Sequence, residues 1–434
     1  MTVAVDLAEF FQRPHRTGIQ RVGAELCLAW ANQEEVKPVM CAPDGALLAL
    51  QPEAFFLLAN YFSAPDVDSE AANRAVQNLA QVALEQRRRF IPAPSDIVVV
   101  PEVFFDPSRI SFYSSALRRS AFRLAFIVFD LLPLTHSWAF PRGSAEAYLR
   151  YASLVACCRN VAFISEATAA AFRERFGATN AYAVLPLGSD ALSRDRVLDK
   201  RPPVQPTFVV LGTIEPRKNH LLIIDAFRRV WRRFPHVQLV FAGRMGWLED
   251  QDKERINRAV AENPQLTWHQ HVDDRGIASL LAQTTATIFV SEGEGFGLPP
   301  VESLWSGTPC IASSGIPSLA RLGPQGIDVL AAKQSDLLAA AVERFIDADY
   351  AMAKTREALT VQLPTWREFG RRAKEWILSL PDTPSVRAEM LSLLVEVPVS
   401  TTPSWRSRLL WFVPSPVRPA IRSARKTAKK LLRI

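Results

Sequence analysis

The sequence predicts an α/β protein. Two Rossmann-like, doubly wound domains face each other across a cleft, followed by a basic amphipathic C-terminal tail. Three observations carry this. In the second half, short β-branched apolar runs alternate with stretches of helical periodicity, as βαβ units and a parallel sheet require. The first half repeats the alternation more weakly. Between them, "RDRVLDKRPPVQP" (194–206) is charged and proline-rich and reads as a linker. Open α/β sheets bind ligands at the carboxyl ends of their strands, so two in tandem would enclose one cleft.

The elements follow in order. "TVAVDLA" (2–8) reads as a strand and 18–31 as a helix, with Thr17-Gly18 turning the chain into it. "DIVVVP" (96–101) and "RLAFIVFDLLP" (123–133) read as strands, the second with a fully buried character. A helix is expected over 143–156, a strand at "NVAFIS" (160–165), and a helix over 167–176 capped at Ser165. "AYAVLPLG" (181–188) closes the half. In the second half the strands are "TFVVLGTIE" (207–215), "VQLVFAG" (237–243), "LTWHQHV" (266–272), "ATIFVS" (286–291) and "TPCIAS" (308–313). The helices between them are 220–234, 248–262, 274–283 and one from about Pro299. The expected domains are 1–200, 204–362, a helix over 363–380 carrying Trp366, Phe369 and Trp376 on one side, and an extension over 381–434. Val417, Ile421, Ala424, Ala428, Leu431 and Leu432 recur at helical spacing with basic residues between them. That is the pattern of a helix lying on an anionic membrane surface, and equally of a solvated tail.

Composition bounds the function classes. The chain has 434 residues, of which 48% are apolar and 22% charged, enough for two or three domains with cores. The net charge is +7, but nine Lys/Arg and no acid lie from Pro403 onward, leaving the body near neutral. A nucleic-acid-binding body is therefore not expected. The five cysteines form no C-x-x-C pair, and the histidines offer no zinc spacing. Cys157 and Cys158 lie in an apolar run and read as reduced core residues, as in a cytoplasmic protein. "MTVAVDLAEFF" carries acids rather than a basic signal segment, and no uncharged apolar run reaches the ~18 residues of a membrane span.

Several strand ends carry chemistry. After the strand ending at Ser291, "EGEGFGLPPVES" (292–303) brings Gly293, Gly295 and Gly297, which let backbone N–H groups approach a ligand. Pro299 suits a first helical turn, and a helix N-terminus welcomes phosphate. Read alone, the stretch is equally a tight strand-to-helix turn. In "GTIEPRKNH" (212–220), Gly212 and Thr213 turn the chain. Arg217 and Lys218 then precede a helix that Asn219 would cap. A planar guanidinium fork beside a point charge suits a diphosphate; a solvated cationic turn is the alternative. "RPHRTGIQRVGAEL" (13–26) adds Gly18, Arg16 and Arg21 near a helix start. "FDLLPLTH" (129–136) places Asp130 and His136 at a strand end, where either can be merely structural. "ISEAT" (164–168) and "LPLGSD" (185–190) are weaker candidates.

"EGFGLPPVES", followed by "SGTPCIAS", resembles the E-x7-E signature of retaining glycosyltransferases of the GT-B fold, family 4. "VLGTIEPRKN", "FISEAT", "LPLGSD" and "LPTWRE" look like companion blocks of bacterial members that act as mannosyltransferases for surface polysaccharide, and "HRTGIQRV" like the family's N-terminal glycine loop. The resemblance covers about 1–380. It implies that Glu294 faces the donor sugar and Glu302 the nucleotide ribose, while Arg217 and Lys218 hold the diphosphate. The backbone of Gly295, Phe296, Gly297 and Leu298 would touch sugar and phosphate, with Gly18 near the diphosphate and Gly212 and Thr213 beside the donor. Asp130 and His136 would lie on the acceptor side, in the N-terminal domain, and the helix with Trp366 and Trp376 would cross back onto it.

The sequence also departs from the family. "PSLARLG" with Arg321 stands where a Pro-Glu-Val step is common, the N-terminal loop has one glycine rather than two, and Glu292 falls outside the signature register as an expected bystander.

The resemblance implies a hexose, with mannose from GDP-mannose foremost and a UDP-sugar the other option. The acceptor would be a glycan or lipid-linked oligosaccharide, handled on the inner face of the cytoplasmic membrane. No metal is required in this reading, because cations and a helix N-terminus can stabilise the departing phosphate. With Glu302 on the ribose, a same-face substitution is expected rather than a two-carboxylate displacement. A sugar-nucleotide epimerase of the same fold and a non-catalytic nucleotide-sugar-binding subunit are the alternatives.

Overall fold

The computed structural model describes residues 1–15, 17–30, 36–51, 53–63, 69–177 and 182–394. One compact unit spans Met1–Val395, and the tail expected to form a basic helix over 417–434 lies outside the described residues, as does Arg16.

The unit holds two sheets. The first comprises β1 (Val3–Asp6), β2 (Val36–Cys41), β3 (Leu47–Ala49), β4 (Ile97–Val100), β5 (Arg123–Val128), β6 (Asn160–Phe163) and β7 (Tyr182–Val184). Their order is β3-β2-β1-β4-β5-β6-β7, and every pair is parallel except the β2–β3 hairpin. The second comprises β8 (Thr207–Leu211), β9 (Gln238–Ala242), β10 (Leu266–His269), β11 (Ala286–Phe289), β12 (Cys310–Ser313) and β13 (Ile327–Leu330). It is all parallel, in the order β10-β9-β8-β11-β12-β13. This doubly wound order reverses direction between β8 and β11, the crevice where such sheets take ligands.

The strands read as unbroken apolar runs because helices cover both sheet faces. Every residue of β4 and β5 is buried. Covering helices show the complementary stripe: in His220–Arg233, Ile223, Ile224, Phe227, Val230 and Trp231 are buried while Arg228, Arg229 and Arg232 remain outside the core.

Two differences from the sequence expectation have local causes. The run 123–133 is not one strand. β5 stops at Val128, and Asp130 Oδ1 accepts the Leu132 N–H at 2.9 Å, starting the short helix Leu132–Thr135 with Pro133 in its first turn. The region 36–95 carried no expectation, yet holds the β2–β3 hairpin and the helices Glu53–Ser63 and Ser69–Gln86. Lys37 and Pro38 interrupt the apolar run of β2, and β3 is too short to show a period.

After the second sheet the chain returns to the first. Thr365 and Glu368 form a reciprocal capping box at the start of helix Trp366–Leu378. Asp190 Oδ1 accepts the Trp366 N–H at 2.7 Å. Gly370 lies so close to Ala29 that a β-carbon there would stand 2.7 Å from the alanine methyl. Trp366, Phe369, Ala373 and Ile377 thus join the first sheet's core, together with Phe296 and Val301 from the second half.

Candidate active site

The crevice between β8 and β11 is built by two turns. After β8, Gly212 takes φ +114°, and the Lys218 ammonium occupies the space its missing side chain leaves. Pro216–Lys218 is a single tight turn, followed by Asn219 at φ 55° and the helix from His220. Asn219 does not cap that helix with its side chain. Its Nδ2 donates instead to the Val290 carbonyl at 2.8 Å and to Glu292 Oε1 at 2.7 Å, tying the β8 turn to the end of β11.

Arg217 is the hub. One guanidinium nitrogen donates to Glu294 and, at 2.9 Å, to the Gly293 carbonyl; the other donates to Glu215 Oε1 at 2.8 Å. The three side chains are only 12%, 10% and 5% exposed in the order Arg217, Glu294, Glu215. Burial opposes the Arg217 charge, but Glu294 and Glu215 outweigh it and raise its pKa. Glu215 is raised by burial against the pull of Arg217 and Lys218. Among the described residues, Arg217 Nε and Glu215 Oε2 are buried without a hydrogen-bond partner. Lys218 Nζ stands 4.0 Å from Glu215 Oε1 and 5.9 Å from the centre of the Phe289 ring. Thr213 packs its methyl against Gly246.

The loop after β11 is wedged against the first sheet's carboxyl edge. At Gly295 a β-carbon would run into the Phe129 carbonyl and come 2.9 Å from Asp130 Cβ. The Gly295 carbonyl accepts hydrogen bonds from Ser165 Oγ at 2.5 Å and Thr168 Oγ1 at 3.2 Å. Ser165 also caps its own helix at Thr168 N. Gly293 faces the His136 ring, whose edge lies 2.8 Å from the position a β-carbon would take. His136 Nδ1 meets Thr135 Oγ1 at 2.9 Å. Asp130 is pushed up by burial to about 6, against the Leu132 N–H and the Arg217 charge. Gly297 takes φ +90° at the start of helix Leu298–Trp305, and its carbonyl accepts from Ser318 Oγ at 2.6 Å.

Glu302 lies elsewhere on that helix. Burial raises it to about 7, against Arg21 and with Asp274 adding to the rise. Arg21 comes from helix Gly18–Leu28, capped by Thr17, and pairs with Asp274 at 2.5 Å across the cleft. At the start of the same helix, a β-carbon on Gly18 would lie 2.9 Å from a Leu298 methyl.

The structure therefore gathers Arg217, Lys218, Glu294, Asp130 and His136 at one point and sets Glu302 apart with Arg21. Of the other expected site residues, Gly212 lies beside Lys218, Gly295 against Asp130, Gly18 against Leu298, Thr213 on Gly246 and Gly297 against Ile316, whereas Phe296 is buried in the first sheet's core. Glu292, expected to be a bystander to the chemistry, has a structural place in the turn. Its backbone N–H donates to the Arg217 carbonyl at 2.7 Å, and its carboxylate takes Lys333 Nζ at 2.6 Å. Burial works to raise its pKa, yet Lys333 and Asn219 hold it below the ordinary value. Glu215 is not among the residues expected from the sequence; an acid two positions before a cation pair is the signal that points to it. Asp274 and Lys333 left no local signal. Among the described residues, no group of three or more His, Cys, Asp or Glu is placed to hold a metal ion, and no helix is long and apolar enough to cross a membrane.

Residues 195–361 match the family model described as glycosyl transferases group 1. Over 106 residues the chain is 39% identical to the serotype-specific mannosyltransferase WbdA of Escherichia coli, a stretch covering 24% of this chain and 13% of that one. Over 128 residues it is 34% identical to the phosphatidyl-myo-inositol mannosyltransferase of Mycobacterium tuberculosis, covering 29% and 32%. The matched stretches thus span less than two thirds of either relative. Among solved structures, HepE of Anabaena in complex with UDP and glucose superposes with a TM-score of 0.60 at 17% identity, covering 88% of this chain and 100% of that one. The sucrose-phosphate synthase of Thermosynechococcus elongatus gives 0.57 at 15%, covering 87% and 98%. These likenesses show the fold, the two-sheet GT-B arrangement.

Proposed function

We propose, because residues 195–361 belong to the group 1 glycosyltransferases, that this chain is a retaining hexosyltransferase. It moves mannose from GDP-mannose to a glycan or lipid-linked oligosaccharide in surface polysaccharide biosynthesis. The observation that carries the reading is the meeting of the Arg217–Lys218 turn with the Glu294 loop at the strand-order reversal of the second sheet.

In this reading Arg217 and Lys218 hold the donor diphosphate, and the unpartnered Arg217 Nε supplies a further N–H to it. Backbone around Gly212, Thr213, Gly295, Phe296, Gly297 and Leu298 lines the donor, and Gly18 approaches the diphosphate from the opposite wall. Glu294 accepts from hydroxyls of the donor sugar. Glu302 accepts from the ribose, and its separation from the Arg217 cluster supports two distinct tasks rather than one acid–base couple. Asp130 and His136 face the acceptor. The acceptor hydroxyl attacks the anomeric carbon from the face the nucleoside diphosphate leaves. As the carbon–oxygen bond to phosphate breaks, a phosphate oxygen takes the acceptor's proton, and fixed cations stabilise the charge developing there.

A thermal-shift panel of nucleotide sugars tests the donor. GDP-mannose should raise the melting point, because a ligand bound only to the folded state stabilises it; a shift with UDP-sugars alone would reassign the base, and no shift with any would defeat the reading. Product with inverted anomeric configuration would rule out the same-face step. The basic tail favours an acceptor at an anionic membrane surface. A chain ending near Pro403 should then lose liposome flotation, and equal flotation would remove that part of the proposal.

A further inference from the structure

Beyond the catalytic cluster, the wall of the cleft carries an aromatic surface with no assigned task. The turn Ser137–Ala139 directly follows His136, and its Trp138 side chain is 62% exposed. Among the described residues that indole makes no hydrogen bond and no ring contact. Its neighbours are nevertheless fixed from both sides of the cleft. Trp247, from the loop after β9, donates its indole N–H to the Ala139 carbonyl at 2.6 Å and stacks on Phe140 with centroids 5.8 Å apart and planes 30° apart. Trp247 itself remains 41% exposed. On the other side, His136 lies against Gly293, next to Glu294 in sequence. The Cα of Trp138 is therefore two residues, at most about 7 Å, from that of His136.

A large ring held open to water on a pinned turn fits a ligand with a flat, weakly polar face. A pyranose has one: the C–H groups on a sugar face are apolar and slightly positive, whereas the face of an indole is negative. Stacking leaves the hydroxyls pointing sideways into water, so the site needs no buried polar partner. We propose that Trp138, braced by the Phe140–Trp247 pair, is a stacking platform for a hexose oligosaccharide acceptor. It holds a sugar unit one or more residues away from the hydroxyl that reacts at His136. This rests on the transferase reading and adds the acceptor's class and its direction of approach: out of the cleft over the Ser137–Phe140 turn that the Trp247 loop braces.

The test uses the full chain with saturating GDP or UDP on an array of linear hexose oligosaccharides, mannosides included. Wild type should retain glycans, Trp138→Ala should bind about tenfold more weakly, and Trp138→Phe should keep most of the binding. Melting points and nucleotide-sugar shifts measured on the same samples separate the two ideas. Equal glycan binding by wild type and Trp138→Ala, or none by wild type, overturns the platform even where nucleotide sugars still shift the melting point. Absence of any nucleotide-sugar shift in wild type counts instead against the transferase reading. Loss of liposome flotation in Trp138→Ala with glycan binding intact would show a membrane contact and also overturn the platform.

Discussion

Replacing Arg217 with leucine probes the centre of the candidate active site. The substitution keeps some apolar volume but removes the charge that Glu215 meets at 2.8 Å and that Glu294 also contacts. Both acids are at most 10% exposed, so water cannot replace the guanidinium. Breaking a buried pair from one side costs about 3–5 kcal/mol, because the remaining charge is left uncompensated. Folded domains have only about 5–15 kcal/mol in total, so the variant should fold with a large deficit. The deficit should also depend on pH. Glu215 and Asp130 are raised by burial and pulled down by Arg217, so leucine raises both further. A carboxyl with a folded pKa above its unfolded one keeps a proton in the folded state that the unfolded state has released. Its contribution to stability therefore falls as pH rises from about 4 through the folded value, which is about 6 for Asp130 before the substitution. The loss should be greatest near pH 8 and smaller near pH 5. Urea denaturation at both values, read by tryptophan fluorescence with Arg217→Lys as the charge-preserving control, measures it. A loss under about 1 kcal/mol, or one that grows on acidification, would refute this account of the cluster.

Three further outcomes are expected. Glu294→Gln, which keeps one acceptor oxygen for the sugar hydroxyls but loses the charge, should lower kcat by about 10²–10³ while the nucleotide-sugar melting shift persists; unchanged turnover would remove it from the chemistry. Donor affinity should strengthen between pH 6 and 8 as Glu302, near 7, ionises and becomes a better acceptor for the ribose, and Arg21→Gln should move that inflection upward; calorimetric titration with a flat profile would contradict the assignment. Arg109→Met should destabilise by about 3–5 kcal/mol in urea. Arg109 is 3% exposed and bridges Asp6 at 2.8 Å and Glu102 at 2.9 Å, and Glu102, raised to about 8 by burial, in turn accepts the N–H groups of Glu9 and Phe10. A near-neutral result would show that this network is not what secures the helix Ala8–Gln12.

Much of the architecture is local physics and was legible as such. β4 and β8 are continuous apolar runs, and the helix His220–Arg233 repeats its apolar residues every three to four positions. Ser165 announces a helix start by its hydroxyl, whereas the start at Thr365, two residues into the expected helix 363–380, emerged from the structure. The glycine-rich turn at 292–297 and the Arg217–Lys218 turn could be singled out because such residues serve backbone approach and anion binding wherever they stand. What the chain itself determined was therefore which torsions and faces each segment prefers, and which chemistry each turn can offer. Only the tertiary structure decided who meets whom. Arg217 finds Glu294 across 77 positions, Ser165 finds Gly295 across 130, and Arg21 finds Asp274 across 253. Asn219 shows the limit. Its place at a helix start was readable, but its amide turned to Val290 and Glu292 rather than to its own helix. A side chain's torsional preference is a property of its neighbours in sequence, whereas its partner is set by the packing of two sheets that bring distant turns within hydrogen-bonding distance.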